Sequence, residues 1–150
     1  MDIIDILIED HVRLRKDLVR LRQNLAHHNL REQVKSFIAN YELHESIEDE
    51  ILFPSLAALL KNLPPYQAAA GYEKMHEKIW ELMGQLVDAL GTVHFEELQK
   101  VFFNFAASTE AHFGYEERIL FPTIRILVSE ETLKDLGRIA KERFDRFVLR

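Results

Sequence analysis

The chain has 150 residues, of which 47% are hydrophobic and 29% charged, and its formal net charge is −6 with histidine neutral. These values exclude a wholly disordered chain, and the absence of cysteine excludes disulfides, thiolate metal sites and a cysteine nucleophile. No basic run and no stretch of about 18 apolar residues occurs, so we expect no nucleic-acid partner, no membrane partner and a cytoplasmic protein with one domain over residues 1–150.

Five helices are predicted, because only 5 Gly and 4 Pro interrupt the chain. In chain order they span residues 2–26, 30–61, 66–90, 94–127 and 130–148, and Pro54 and Pro122 are expected to end or kink the second and fourth. The predicted fold class is all-α, an up-down-up-down four-helix bundle with an additional C-terminal helix. That last helix is amphipathic, and we expect it to cover its own bundle rather than a second subunit.

One face of each long helix carries apolar residues at steps of three and four, which is typical of a bundle core. The first face has Ile4, Leu7, His11, Leu14, Leu18, Leu21 and Leu25, and the second has Val34, Phe37, Tyr41, His44, Glu48 and Leu52. The third has Tyr72, His76, Ile79, Met83, Leu86 and Leu90, and the fourth has Leu98, Phe102, Phe105, Thr109, His112, Glu116 and Ile119. Each buried face therefore includes one histidine, and two of the faces add a glutamate one turn later.

An internal repeat contains these His–Glu pairs. Residues 44–54 are HESIEDEILFP and residues 112–122 are HFGYEERILFP, which share the frame H-x-x-x-E-x-x-I-L-F-P. The repeat suggests two helix pairs related by a pseudo-twofold axis, each carrying half of one site.

Histidine and glutamate four residues apart lie one above the other on a helix, so both can bind one metal or adjacent metals. Helix and turn lengths place all six groups at about one depth in the core, at about 1.5 Å per residue. The predicted ligands of two metal ions, with the glutamates bridging, are His11, His44, Glu48, His76, His112 and Glu116. We interpret His27, His28 and His94 as solvated. A metal-free hydrogen-bond network in a helical interaction protein is the alternative.

The ordered pattern H…HxxxE…H…HxxxE resembles that of the hemerythrin-like family, also described as the HHE cation-binding domain. The resemblance covers essentially the whole chain, through His11 in LIEDH, His76 in EKMHEKI and the two repeats. It implies a four-helix bundle with two iron ions, often bridged by an oxo or hydroxo group. Oxygen carriers have a second histidine one turn from the third-helix ligand, where this chain has Tyr72 and Trp80, and an aspartate five residues after the last histidine, where it has Glu117.

The four-His, two-Glu set is similar to that of the repair-of-iron-centres proteins, which usually also carry cysteine. The resemblance implies binding of, or reaction with, O2, NO or peroxide, in stress response or iron-centre repair. Metal storage or buffering without redox chemistry is the alternative. Glu45 and Glu117 are left open as further ligands. We expect an apolar shell of Ile79, Trp80, Met83, Phe102 and Phe105, with Trp80 beside the metals in place of the carriers' extra histidine.

Overall fold

Helices make up nearly all of the computed structural model, which describes residues 1–60, 65–91 and 94–148, with side chains for 1–57, 74–91 and 94–147. In chain order they are α1 (Ile3–Gln23), α2 (Leu30–Ile47), the π-helical π1 (Glu48–Leu52), α3 (Phe53–Leu60), α4 (Pro65–Ala89), α5 (Phe95–Tyr115), the π-helical π2 (Glu116–Leu120), α6 (Phe121–Leu127) and α7 (Glu130–Val148). No strand occurs within these ranges, so the predicted all-α bundle with an additional helix is confirmed. Residue 61, the predicted end of the second helix, and the side chain of Tyr72 lie outside the described residues.

Helix α1 begins where its sequence predicts a cap. The Asp2 carboxylate accepts a hydrogen bond from Asp5 N–H at 2.9 Å, and the Asp5 carboxylate accepts one from Asp2 N–H at 3.2 Å. These two bonds satisfy amide donors that have no partner in the first turn of a helix. Arg125 of α6 donates to both carboxylates and thereby ties α6 to the start of α1.

Two apolar clusters fill the core, one toward each end of the bundle. The first includes Leu14, Phe37, Tyr41, Met83 and Phe105, and α1, α2, α4 and α5 all contribute to it. The second is built by the start of α1, by π1, π2, α3 and α6, and by α7. In α1 the histidine at position 11 separates the two clusters, because Leu7 belongs to the second and Leu14 to the first. The buried polar residues therefore lie between two apolar layers.

Each copy of the repeat contains a π turn that begins at its glutamate. Phe53 N–H donates to the carbonyl of Glu48, and Phe121 N–H donates to that of Glu116, both five residues back. Proline follows each phenylalanine; it lacks an N–H and clashes with the carbonyl four residues before it, so a wider turn at this point removes the conflict. The break predicted at each proline is thus a π turn, after which α-helical bonding resumes.

The π turn also corrects one predicted core position. Ile119 was expected to face the core but is 51% exposed, whereas Leu120 is 1% exposed. A π turn contains an extra residue, so the step from Glu116 to the next inward-facing side chain is four residues rather than three. Leu52 has the same position in the first repeat and is fully buried.

Helix α7 covers its own bundle, as expected. It packs on α1, α2 and π1, and it buries Leu133, Leu136 and Ala140 in the second cluster. Gly137 lies so close to the first three residues that an added Cβ would be 2.6 Å from the Met1 carbonyl oxygen. None of the described helices is long and apolar enough to cross a bilayer. The cytoplasmic location stays a prediction.

Gly137→Ala tests this close approach. Alanine in place of glycine inside a helix normally stabilises it by about 0.5–1 kcal/mol. At position 137 we expect a lower melting temperature instead, because the new methyl group overlaps backbone atoms that cannot move without shifting α1. Gly84→Ala is the matched control, since no atom outside the neighbouring backbone of its own helix lies within 4 Å of its Cβ position. A thermal melt that ranks Gly137→Ala at or above the wild type would contradict the packing described here.

Candidate metal centre

All six predicted ligands lie in the layer between the two apolar clusters. Helices α1, α2, α4 and α5 each contribute one buried histidine, and the glutamates are the first residues of π1 and π2. Five of the six side chains are fully buried and the sixth, His76, is 7% exposed. An unpaired buried carboxylate is costly, so the burial of both glutamates requires cationic or hydrogen-bonding partners in the same layer.

The four histidines form two pairs. The Nε2 atoms of His11 and His44 are 3.2 Å apart, and those of His76 and His112 are 2.8 Å apart. Two imidazole nitrogens on one ion at about 2.1 Å, with about 90–110° between the bonds, lie roughly 3.0–3.4 Å apart. The observed spacings fall at or close to that range.

Each glutamate reaches both pairs. Glu48 places Oε1 2.9 Å from His44 Nε2 and Oε2 3.6 Å from His76 Nε2. Glu116 Oε1 lies 3.3 Å from His11 Nε2 and 3.2 Å from His112 Nε2. The donor set is nitrogen and carboxylate oxygen with no sulfur, which suits iron, zinc or manganese, and the arrangement fits two adjacent ions bridged by the carboxylates. The role of the six residues as ligands stays a prediction.

Carboxylates lie beside the outward ring nitrogen of three histidines. Asp10 Oδ2 is 2.8 Å from His44 Nδ1, and Glu45 Oε2 is 2.6 Å from His76 Nδ1. Glu117 Oε1 lies 3.5 Å from His11 Nδ1. A carboxylate at this nitrogen fixes the tautomer so that Nε2 is available to a metal. The geometry therefore favours Glu45 and Glu117, which the sequence left open, as partners that orient histidines.

Glu117 is itself held in place by Arg15. The guanidinium donates two bonds of 2.7 Å to Glu117 and further bonds to Glu110. Arg15 also lies 5.5 Å from the centre of the Phe113 ring, which stacks on His11 with 4.0 Å between ring centres. His11 is thus supported by an acid on its edge and an aromatic ring on its face.

The layer holds charge unevenly when no cation is bound. Burial lowers the pKa of His11 to about 4 and that of His112 to about 3, so both rings are neutral at pH 7. Burial opposes charge on His44 as well, but Glu48 and Asp10 outweigh it and raise the pKa of His44 to about 10.

The two glutamates are driven in opposite directions. Burial and the nearby charge of Glu48 raise the pKa of Glu116 well above its ordinary value. Burial also opposes ionisation of Glu48, but the charge and hydrogen bond of His44 hold the pKa of Glu48 well below its ordinary value. Two neighbouring buried carboxylates repel each other when both are ionised, so a proton is favoured on Glu116 when no cation is bound.

The predicted apolar shell needs one correction. Ile79, Met83, Phe102 and Phe105 are buried as expected. Trp80, which was expected beside the metals, is 39% exposed, and its ring centre lies 6.1 Å from that of Tyr41 with the two rings nearly perpendicular. The buried face of α4 continues through Ile79 and Met83, and Trp80 lies at the border of that face. His27, His28 and His94 are exposed, as predicted.

Asp10 is a site residue that the sequence analysis missed. It is 4% exposed and lies between Leu7 and Leu14 at the same steps of three and four as the apolar face of α1. An acid at such a position could have been recognised, because a buried carboxylate needs a partner. Which histidine it contacts depends on how α1 and α2 pack, and the sequence pattern does not contain that information.

Comparison with known proteins gave one family. The family description "Hemerythrin HHE cation binding domain" matches residues 2–94 and residues 71–143. No curated protein and no solved structure matches the chain significantly.

Asp10→Asn tests the outer carboxylates. An amide is a weaker acceptor for the His44 N–H than a carboxylate, so we expect metal affinity to fall by about tenfold, at the lower end for outer partners of metal-bound histidine. Asp17→Asn is the control, since this acid lies on the same helix and pairs with Arg20 at 3.7 Å. Competition with a chelator measures both affinities, and equal values would show that Asp10 does not orient the ligand.

Proton release on metal uptake tests the uneven charge. At pH 7 the His44 ring, with a pKa of about 10, holds a proton that a bound cation must displace, and the raised pKa of Glu116 favours a second one. Loading should therefore release protons, and affinity should rise with pH below about 10. Calorimetry in buffers of different ionisation enthalpy counts these protons. Glu116→Gln should release a proton fewer than the wild type, and an identical count would place the proton elsewhere.

Proposed function

Since the chain belongs to the hemerythrin HHE cation-binding domain family, we propose that its buried histidines and glutamates hold two iron ions and that the protein binds or reacts with O2, NO or peroxide. One observation carries the proposal: two pairs of imidazole Nε2 atoms and two carboxylates that reach both pairs lie in one buried layer. His11 and His44 would hold one ion, His76 and His112 the other, and Glu48 and Glu116 would bridge them. An oxo or hydroxo group would complete the bridge.

The protein's own residues prepare the layer for such ions. Asp10 lies within hydrogen-bond distance of His44 Nδ1, and the Glu45 carboxylate lies beside His76 Nδ1. With Nδ1 protonated toward these acids, Nε2 of each ring would face the centre. Phe113 and the apolar clusters on either side restrict water around the centre. When bound, two iron ions supply a redox centre with open positions for a small ligand.

The physiological role that we propose is in oxidative or nitrosative stress or in iron-centre repair. Its support is the ligand set of four histidines and two glutamates, which resembles that of the repair-of-iron-centres proteins and lacks the carriers' fifth histidine. We also propose that residues 1–150 act as one domain, because the six ligands span positions 11 to 116 and α7 packs back on α1. The alternative function is storage or buffering of zinc or manganese without redox chemistry. Metal analysis would distinguish the two.

Metal analysis of the purified protein, with its visible spectrum, tests the proposal. We expect about two iron ions per chain, as in di-iron carboxylate bundles, absorption from oxo-to-iron charge transfer, and a change in that spectrum on adding azide or NO. Zinc or manganese without such absorption would favour storage. A protein without metal would favour the hydrogen-bond network.

Ligand variants give a matched series. Glu48→Ala and Glu116→Ala should lower metal content because each removes a bridge, whereas His27→Ala, His28→Ala and His94→Ala should leave it unchanged. Loaded wild type should melt at a higher temperature than stripped wild type, because binding to the folded state adds to folding free energy. Acid should narrow that gap as protons displace the metal. If His94→Ala empties the protein as thoroughly as His112→Ala, the six-ligand assignment is wrong.

A further inference from the structure

A groove between α1 and α2, on the outside of the bundle, has a composition that the proposed metal centre does not explain. It encloses about 500 Å³, within the range of about 300–1,000 Å³ typical of small-molecule sites. Most of its polar lining is basic on the α1 side and neutral on the α2 side: Arg13, Lys16, Arg20, Gln33, Ser36 and Asn40.

Positive charge is concentrated in this groove. Arg13, Lys16 and Arg20 follow each other at steps of three and four, so they share one face of α1. Asp17 is the one acid among the lining residues, and its contact with Arg20 is a long 3.7 Å. Lys16 forms no ion pair with any residue that the structure describes. Although the whole chain has a net charge of −6, this local group of cations would attract anions to the groove.

The α2 side adds neutral hydrogen-bond donors. Asn24 donates to the Gln33 side-chain carbonyl at 3.2 Å, which leaves the Gln33 amide N–H groups to donate elsewhere. The Ser36 hydroxyl and the Asn40 amide lie one and two turns further along the same helix. Leu21 and Phe37 line the groove beneath them and are buried. Guanidinium groups, an ammonium group and neutral hydrogen-bond donors around one groove can all donate hydrogen bonds to the oxygens of a phosphate group.

We propose that this groove binds a small anion bearing a phosphate group. Its volume sets the size of the ligand. Lys16 has no ion pair with a described residue, and a doubly charged phosphate monoester would compete with Asp17 for Arg20 and with Asp10 for Arg13. An extended nucleic acid or an anionic membrane would need a broader basic surface than these three basic side chains provide, and the rest of this acidic chain would repel both.

Contacts between side chains connect the groove to the proposed metal centre. The coupling that we infer from them rests on the proposed function. Arg13 pairs with Asp10, and Asp10 contacts His44 Nδ1 at 2.8 Å. An anion that pairs with Arg13 draws the guanidinium charge away from Asp10, which makes Asp10 a stronger acceptor for the His44 proton. The anion should therefore tighten metal binding, and by linkage the metal should tighten anion binding by the same factor.

Titration calorimetry with phenyl phosphate at low ionic strength tests the groove. We expect saturable binding to the metal-loaded wild type, and affinity lower by about tenfold or more in Lys16→Gln/Arg20→Gln, since charged hydrogen bonds to the anion are lost. Arg22→Gln/Lys35→Gln is the control with the same net charge. Arg22 lies 5.1 Å from the Phe103 ring and Lys35 pairs with Glu32, so neither belongs to the groove.

Three results would overturn the groove site: no saturable heat with the wild type, equal loss in both double variants, or tight binding of a short single-stranded RNA without binding of phenyl phosphate. None of these depends on which metal the core holds. The metal content of each sample, measured beside the titration, tests the proposed function separately.

Comparison of loaded and stripped protein tests the connection. Phenyl phosphate should bind loaded wild type about fivefold more tightly than stripped wild type, at the lower end of allosteric couplings. Arg13→Gln should reduce that ratio to one, whatever affinity remains. Equal affinities in two wild-type samples whose metal contents are shown to differ would overturn the connection and leave the metal centre unaffected.

Discussion

Two carboxylates and four imidazoles share one buried layer, and the rest of the structure is arranged around the energetic cost of that burial. In an apolar core each ionised group would lose solvation worth several kcal/mol. The layer limits this cost in two ways: its members contact one another, and acids just outside it pair with the outward ring nitrogens. The contacts that stabilise the buried layer without metal also orient its nitrogen and oxygen donor atoms toward one another.

The two halves of the layer are alike in frame but different in surroundings. Both repeats have a histidine, a glutamate and a π turn in the same order. Helix α7 packs on π1 of the first repeat, whose Ile51 is buried, whereas the equivalent Ile119 of the second repeat is exposed. The buried acid Glu45 directly follows His44, whereas the equivalent position after His112 is Phe113, which stacks on His11. The repeat therefore accounts for the shared ligand positions. Burial raises the pKa of both glutamates, but the charge and hydrogen bond of His44 outweigh it for Glu48 and leave only the pKa of Glu116 raised.

Spacing along the sequence predicted the helices and the burial of the six polar residues, because one helix face repeats every three or four residues and His11, His44 and Glu116 follow that rule. It could not predict features that depend on hydrogen-bond register or on contacts between helices. Ile119 was placed inward because α-helical geometry was assumed through a π turn. Trp80 was placed in the core because a residue one turn after His76 was assumed to lie on the same face of the helix. In the structure, Trp80 lies at the border of the buried face of α4. Asp10 was overlooked because its partner lies 34 positions away on α2.

The contact at Gly137 has a consequence for the order in which the chain assembles. It joins the backbone of residues 1–3 to α7, so it closes a loop of more than 130 residues. The entropy lost in closing a loop grows with its length, and contacts between distant residues slow folding. The pairing of α4 with α5, and that of α1 with α2, involves much shorter loops. We therefore expect the helix pairs to form first and α7 to dock late, after the four histidines have already been brought to the same level.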